Sequence, residues 1–350
     1  MSTACTFDDV LIRPKFSLLE SRRDTDLSRT LPGLGTFALP LISANMDTIT
    51  DVAMAQAMRR QGGQACLHRF CSIEANVAML QACQDKSAPV LPWVSVGLGA
   101  TELERARALQ AAGATCFVVD VAHAAQMGVV RQVQSLRAAL GEAVSLVVGN
   151  FATGDTVTAF LQHAEVRVDA VKVGIGPGSA CTTRIKTGVG YPQLSAIQDV
   201  VAAVTGQQIC VIADGGMRTP GSIAKALGAG ATLVMLGGML AGTDETPGDT
   251  VQRDDGTGPS AFKRYRGSAS KESYGLQGKD ASWRTAEGEA FWVPARGPVA
   301  QVLQDIEGGL RSALTYVGAA NLAQFRDLVH FTRISAATAA ENGAHGKHHG

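Results

Sequence analysis

The sequence predicts a closed (β/α)8 barrel of the α/β class with a long flap inserted after the eighth strand. Eight short apolar runs recur at roughly 25-residue spacing, as a barrel of βα units requires. Helix-like segments separate them. Each run is hydrophobic throughout, so none has the mixed character of a sheet edge. The rival doubly wound sheet calls for a GxGxxG turn after its first strand. None is there, and the nearest string, GIGPGS at 174–179, ends in Ser179.

In chain order, the N-terminal MSTACTFDDVLIRPK carries Asp8 and Asp9 where an export signal needs an apolar core, which predicts a cytoplasmic protein. The strand runs follow at 39–45, 64–68, 90–97, 116–122, 144–150, 170–175, 208–213 and 233–238. Between the third and fourth, residues 101–112 place Leu103, Ala106 and Leu109 at helical spacing, and Thr101 with Glu104 reads as a capping box. The uncharged stretch 226–242 approaches the length of a membrane span, but its five glycines read as a helix end, a buried strand and a tight loop. Residues 240–298 break the rhythm with Gly, Asp, Thr, Ser and Lys, the pattern of an irregular insert that is either a functional flap or a disordered connection, and Trp283, Phe291 and Trp292 suggest that part of it folds back. Helical signals resume over 299–313. A barrel domain over 1–335, with its flap at about 240–298, and a disordered tail over 336–350 complete the organisation.

Lys plus Arg and Asp plus Glu both number 31, so there is no electrostatic footprint for nucleic acid or a membrane surface, and a small-molecule ligand is expected. Seven scattered cysteines without a CxxC pair exclude a disulfide framework and a zinc ribbon. His345, His348 and His349 sit in the tail, where a solvated end explains them.

Barrel enzymes carry their chemistry where strands end, with phosphate commonly bound after strands seven and eight. The seventh run ends in Asp214-Gly215-Gly216 and the eighth in Gly237-Gly238, two bare backbone turns able to cradle a phosphate or simply to relieve crowding. Asp214 would then lie near a sugar, whose hydroxyls a carboxylate accepts. The loop after the sixth run, 174–190, holds five glycines and Cys181. Arg184 and Lys186 give that cysteine the electropositive surroundings that favour thiolate, and Thr183 stands ready to relay a proton. Cys66, Cys116 and Cys210 read instead as small buried residues, and Cys5, Cys71 and Cys83 have no functional context. Asp120 and Asn150 end the fourth and fifth runs, suited to a cofactor ribose and a base edge or equally to capping the next helix.

FDDVLIRP at 7–14, SANMDT at 43–48, GIGPGSACTTR at 174–184 and ADGG at 213–216 resemble the IMP dehydrogenase/GMP reductase superfamily, a match running from about residue 7 to 333. KTGVGYPQLSAI at 186–197, VMLGGMLAG at 234–242 and TYVGAA at 315–320 look like its reductase branch. The CBS modules usual in the dehydrogenases have no room between Asn76 and Pro92. The Arg-Tyr pair of the dehydrogenase flap is missing, since Arg284 stands between Trp283 and Thr285, and Arg264-Tyr265 belongs instead to KRYRGSAS, which aligns with the segment holding substrate phosphate.

The resemblance implies NADPH-dependent conversion of GMP to IMP and ammonia in purine interconversion. The Cys181 thiolate would add to C2 of GMP and form a thioimidate, with Thr183 and Glu287 handling the proton. It implies GMP contacts at Ser179, Asp214, Gly215, Gly216, Gly237, Gly238, Gly267, Ser268, Ala269, Arg284, Thr285, Ala286, Glu287 and Gly288. NADPH contacts would be Arg69, Asp120, Val121, Ala122, Ile175, Gly176, Ser268, Trp283 and Arg284, with Ser21, Arg22, Ser312 and Thr315 reaching the cofactor of a neighbouring subunit in a homotetramer. A monovalent cation, potassium, would sit among carbonyls of Gly176, Gly178, Cys181 and Arg184. Three departures bear on the cofactor: Asp120-Val-Ala is followed by His123-Ala124 in place of Asn-Gly, Arg69 stands where many members have Lys, and Met217-Arg218 looks more like the dehydrogenase. The alternatives are an IMP dehydrogenase lacking CBS modules, oxidising IMP with NAD and water, and a nucleotide-binding barrel without catalysis.

Overall fold

Residues 3–84, 91–254, 258–276 and 285–335, with Thr338, are described by the structure, a computed structural model. All eight apolar runs form strands: β1 (Leu41–Ser43), β2 (Gln64–Leu67), β3 (Trp93–Val96), β4 (Cys116–Asp120), β5 (Ser145–Phe151), β6 (Ala170–Val173), β7 (Cys210–Asp214) and β8 (Leu233–Leu236). They pair in parallel in sequence order and close β8 onto β1, giving the predicted barrel. Helices α1 (Val52–Arg60) to α5 (Gly154–Ala164), then α7 (Gln193–Ala203), α8 (Pro220–Gly228) and α10 (Val299–Val317), fill the connections outside it. The short α6 (Thr183–Thr187) follows β6. α2 (Ile73–Ala82) and β3 are separated only by residues 83–92, a connection too short for a further domain.

Successive strand residues point to opposite faces, and both faces here are buried. One set, including Val119, Leu146, Val148, Val171, Val173 and Val211, packs against the helices. The other fills the barrel: Ile42, Cys66, Trp93, Cys116, Val118, Val147, Ala170, Ile212, Leu233 and Met235 form one cluster with Leu31, Leu34 and Phe37. Those last three come from a hairpin, Arg29–Leu31 paired with Gly35–Phe37, that plugs the N-terminal end. Phe37 meets Trp93 edge-on at 6.2 Å between ring centres. With one end sealed by apolar side chains, the polar residues of the interior collect at the other.

Two local expectations are corrected. Thr101 does not cap α3 (Ala100–Ala111): it lies within the first turn, Gly99 is the N-cap at φ +101°, and no side chain caps it. Glu102 organises that end instead, accepting from the Gly97 N–H at 2.6 Å and pairing with Arg105 at 3.2 Å. The insert over 240–298 is not irregular throughout. β9 (Val251–Asp254), β10 (Pro259–Arg266) and β11 (Ala290–Pro294) make an antiparallel sheet, with α9 (Lys271–Leu276) after β10. Phe291 folds back onto Tyr265, as its position near the end of the insert suggested, with ring centres 5.3 Å apart. Trp283, the third aromatic of that group's expectation, lies outside the described residues, as do the histidines of the tail. The uncharged 226–242 stretch resolves into the end of α8, β8 and a turn, and among the described residues no helix is long and apolar enough to cross a membrane.

Candidate active site

The alternation that buries Cys116, Val118 and Ala170 inside the barrel carries Asp120 and Lys172 onto the same inner face one step higher, and Asp214 follows Ile212 in the same way. Lys172 is 1% exposed, and its ammonium lies 2.7 Å from Asp120 Oδ1 and 2.5 Å from Asp214 Oδ2 and also donates to Asn150 Oδ1. Asn45 Nδ2 donates to Asp120 Oδ2 at 3.0 Å. Burial alone would raise the Asp120 carboxyl, but the charge and hydrogen bond of Lys172, with Arg69 and Asn45, hold it below its ordinary value. Burial likewise works against the Lys172 ammonium, and the two carboxylates more than offset it, pushing its pKa above the ordinary lysine value. Asn150 corrects its sequence reading: its amide donates to the Gly174 carbonyl at 2.7 Å and to Asp214 Oδ2 at 3.0 Å, so it serves this cluster and neither caps a helix nor stands free for a base.

The cysteine loop begins with a close crossing. Gly174 has φ +151°, and a Cβ there would stand 2.0 Å from the Asp214 carbonyl oxygen. The chain then turns through Gly176 and Gly178 to Cys181, whose N–H donates to the Gly178 carbonyl at 3.0 Å. From the thiol runs a polarised chain: Cys181 Sγ donates to Thr183 Oγ1 at 3.2 Å, and Thr183 Oγ1 to Glu287 Oε2 at 2.7 Å. Backbone bonds stitch the two segments together. Thr182 N–H donates to the Glu287 carbonyl at 2.8 Å, Glu289 N–H to Ala180 at 2.9 Å and Glu287 N–H to Ala269 at 3.1 Å, and Gly288 bridges both Cys181 and Ser270. The neighbouring cations act elsewhere: Arg184 and Lys186 are exposed, and the Arg184 guanidinium donates to the Tyr191 carbonyl at 2.6 Å. At most of the other cysteines burial dominates. It pushes the thiols of Cys66 and Cys116 well up, Cys83 to about 11, and Cys71 and Cys210 upward too.

Ser179, Gly237 and Gly238 converge on a residue set aside in the sequence. Tyr265 is buried, and its hydroxyl accepts from Ser179 Oγ at 3.4 Å. A Cβ on Gly237 would come within 3.3 Å of that hydroxyl, and one on Gly238 within 2.7 Å of Ser179 Oγ, so the bare glycines keep this corner open. Gly215 and Gly216 adopt φ +82° and +83° and pack on Gly178 and Pro177, which brings the turn after β7 beside the cysteine loop. Gly267 and Gly288 approach Ala180, with Ser268 and Ala269 between them along the chain, Thr285 exposed and Ala286 partly buried before Glu287.

Of the residues expected at the cofactor, Asp120, Val121 and Ala122 continue from β4, and Arg69 reaches the Asp120 carbonyl at 3.5 Å while its Nε is buried without a partner. Ile175 is buried and Gly176 takes φ +83° beneath the Arg184 side chain. Arg22 and Ser312 line a separate groove of about 490 Å³ with Gln301, Gln304, Asp305, Gly308 and Gly309. Ser21 caps the turn that begins at Arg22, and Thr315 lies one helical turn beyond Arg311, whose carbonyl it bonds. Trp283 and Arg284 lie outside the described residues. Among the described residues no group of His, Cys, Asp and Glu could hold a metal ion, so a cation would depend on backbone carbonyls. Lys172, Asn45 and Tyr265 were missed. The signal for the first was a lysine inside an otherwise apolar strand run, and for the last a tyrosine within the phosphate-aligned segment.

Comparison with known proteins places this geometry in context. The family model described as IMP dehydrogenase / GMP reductase domain matches residues 4–345. A GMP reductase of Vibrio cholerae serotype O1 is 39% identical over 348 residues, covering 97% of each chain, and one of Klebsiella pneumoniae is 40% identical over 337 residues, covering 94% of each. The crystal structure of a GMP reductase from Trypanosoma brucei, in complex with guanosine 5′-monophosphate, superposes with a TM-score of 0.90 at 27% identity, covering 99% of this chain and 98% of that one. The chain belongs to the IMP dehydrogenase / GMP reductase family.

Proposed function

We propose that this protein is a GMP reductase, converting GMP to IMP and ammonia at the expense of NADPH through a covalent bond to Cys181, within purine nucleotide salvage. The observation that carries the reading is the chain from Cys181 Sγ through Thr183 Oγ1 to Glu287 Oε2. As the sulfur bonds to C2 of the purine, its proton has a path through the threonine hydroxyl to the carboxylate. The same path returns a proton to the amino group, which leaves as ammonia once protonated. What remains is a thioimidate between Cys181 and C2. NADPH, when bound, supplies hydride to C2, and the thiolate departs as IMP forms.

The remaining residues orient the reactants. Ser179 Oγ, the Tyr265 hydroxyl and the bare backbone of Gly237 and Gly238 form a corner suited to phosphate oxygens. Both hydrogen bonds onto the Asp214 carboxylate fall on Oδ2, leaving Oδ1 for ribose hydroxyls. On the cofactor side the residues present fit NADPH: Asp120 is an ionised acceptor at the rim, and Arg69, with its unpartnered Nε, stands beside it. A potassium ion suits the carbonyl set of Gly176, Gly178, Cys181 and Arg184, because hard oxygen dipoles replace an alkali ion's hydration shell. The Gly178 and Arg184 carbonyls each already accept one N–H, and a second lone pair remains on each. A homotetramer in which Ser21, Arg22, Ser312 and Thr315 meet a neighbour's cofactor, in the cytoplasm, completes the proposal.

The test follows NADPH absorbance and ammonia release with purified protein and GMP, with IMP and NAD in parallel. NADPH consumption with stoichiometric ammonia is expected. NADH formation from IMP would instead make the protein a dehydrogenase.

A further inference from the structure

A lysine in the interior layer of a barrel has to be accommodated and paired, because an ammonium taken from water without partners is strongly disfavoured. This chain does both with specific residues. In the strand register Asp120 of β4 lies level with Gly149 of β5, and Gly149 level with Lys172 of β6. Gly149 thus stands between the acid and the base, and a Cβ on it would fall 2.5 Å from the Lys172 Cβ. Its missing side chain opens the lane along which the lysine reaches Asp120 at 2.7 Å. The same ammonium reaches Asp214 on β7, on the other side, at 2.5 Å. Each carboxylate side chain remains 20% exposed while the lysine side chain is 2% exposed, so the acids face the cleft and the base ties them from beneath. Asn45 and Asn150 occupy further lone pairs on Asp120 Oδ2 and Asp214 Oδ2. Arg69 and the neutral thiol of Cys66 are the other titratable groups felt at this cluster.

We propose that Lys172 is a positioning residue that couples the substrate ribose site at Asp214 to the cofactor ribose site at Asp120, because each carboxylate is oriented by an ammonium that it shares with the other. The inference rests on the reading of the protein as a GMP reductase in which those two carboxylates accept ribose hydroxyls. The linkage is physical. One ammonium divides its three donors among Asp120, Asp214 and Asn150, so loss of charge or movement at one acid changes the hold on the other. A coupling of this kind is reciprocal: whatever factor GMP bound at Asp214 applies to cofactor affinity, cofactor bound at Asp120 applies to GMP affinity.

Calorimetry with GMP and with NADP+, each alone and then together in the non-reacting pair, measures both affinities and their coupling. Asp120→Asn is expected to weaken binding of GMP alone by about fivefold or more, and Asp214→Asn to weaken NADP+ alone to a similar degree, the lower range of measured site-to-site couplings. Lys172→Met should weaken both ligands, whereas Lys172→Arg, which retains the charge, should recover part of each. Should Lys172→Met fail to fold, the two aspartate variants still decide the matter. If Asp120→Asn leaves GMP binding unchanged and Asp214→Asn leaves NADP+ binding unchanged, the coupling is overturned. Failure of the wild-type protein to bind GMP or consume NADPH would overturn the functional reading itself, a result distinct from an active wild type whose two sites prove independent.

Discussion

Replacing Glu287 by Gln removes the charge at the end of the Cys181–Thr183–Glu287 chain while leaving its shape. The amide oxygen still accepts from Thr183 Oγ1, at 2.7 Å in the wild type, and the backbone ties from Thr182 to the 287 carbonyl and from 287 to Ala269 do not involve the side chain. Folding and GMP affinity should therefore change little, by the ~1 kcal/mol of a single neutral hydrogen bond. Proton transfer is another matter. General acid–base catalysis contributes roughly 10²- to 10⁴-fold, about 3–5 kcal/mol of barrier, so kcat for E287Q should fall at least about a hundredfold. Thr183→Val, which deletes the middle hydroxyl, should cost a similar factor. The discriminating measurement is the double variant. In a series path a second break adds little, so T183V/E287Q should be within about threefold of the slower single variant. Steady-state NADPH consumption, with ammonia release in a single turnover, provides both numbers. Losses that multiply to about 10⁴-fold or beyond, as independent roles require, would refute the relay.

Cys181→Ala should abolish turnover yet retain GMP binding by calorimetry, and residual turnover above background would exclude the covalent path. Tyr265→Phe removes a hydroxyl at the proposed phosphate corner; a lost hydrogen bond to a charged group is worth about 1.5–3 kcal/mol, so KM for GMP should rise roughly ten- to a hundredfold with kcat nearly kept. Gly174→Ala should destabilise the fold by about 2 kcal/mol or more, seen in chemical denaturation, because its Cβ would meet the Asp214 carbonyl at 2.0 Å in a backbone conformation side chains avoid. His68 is buried, and burial, opposed by Asp47 and Asp51, lowers its pKa from 6.5. The unfolded chain then takes up the proton first, so stability is fully present above pH 6.5 and declines as pH falls below it toward the lower folded value. His68→Asn, which keeps an acceptor for the Phe70 N–H, should flatten that part of the pH–stability curve, and an unchanged curve would remove His68 as its source.

The barrel was legible because each strand is buried on both faces, which writes unbroken apolar runs such as CFVVD and AVKV into the sequence. The flap sheet was not. β9 reads VQRD and β10 PSAFKRYR, mostly exposed or half-exposed segments whose charges obscure the two-residue period, with Lys263 and Tyr265 buried in β10. The capping box at Thr101 failed for a different reason, since the helix already begins at Ala100 with Gly99 as its N-cap, which puts Thr101 inside the first turn. At the site, Cys181, Thr183 and Glu287 were brought together from 104 residues apart by the resemblance and not by any local pattern. Lys172 hid inside an apolar run, where one polar letter was read as strand, and Tyr265 lay in KRYRGSAS, a string aligned as a whole with the phosphate segment, in which its neighbour Arg264 pairs with Glu272 at 2.5 Å and lies against Trp292.

The backbone stitching between residues 180–182 and 287–289 also makes the proton path conditional on main-chain pairing. Thr183 belongs to the barrel and Glu287 to the flap, so the carboxylate reaches the hydroxyl only while the two strips of backbone are paired. On the proposed mechanism, a substitution that unpairs those strips would leave Cys181 without the carboxylate that ends its proton path. The three residues of the chain thus come from two separate parts of the sequence, and the carboxylate is presented to the cysteine by pairing of main chain and not by a neighbouring side chain.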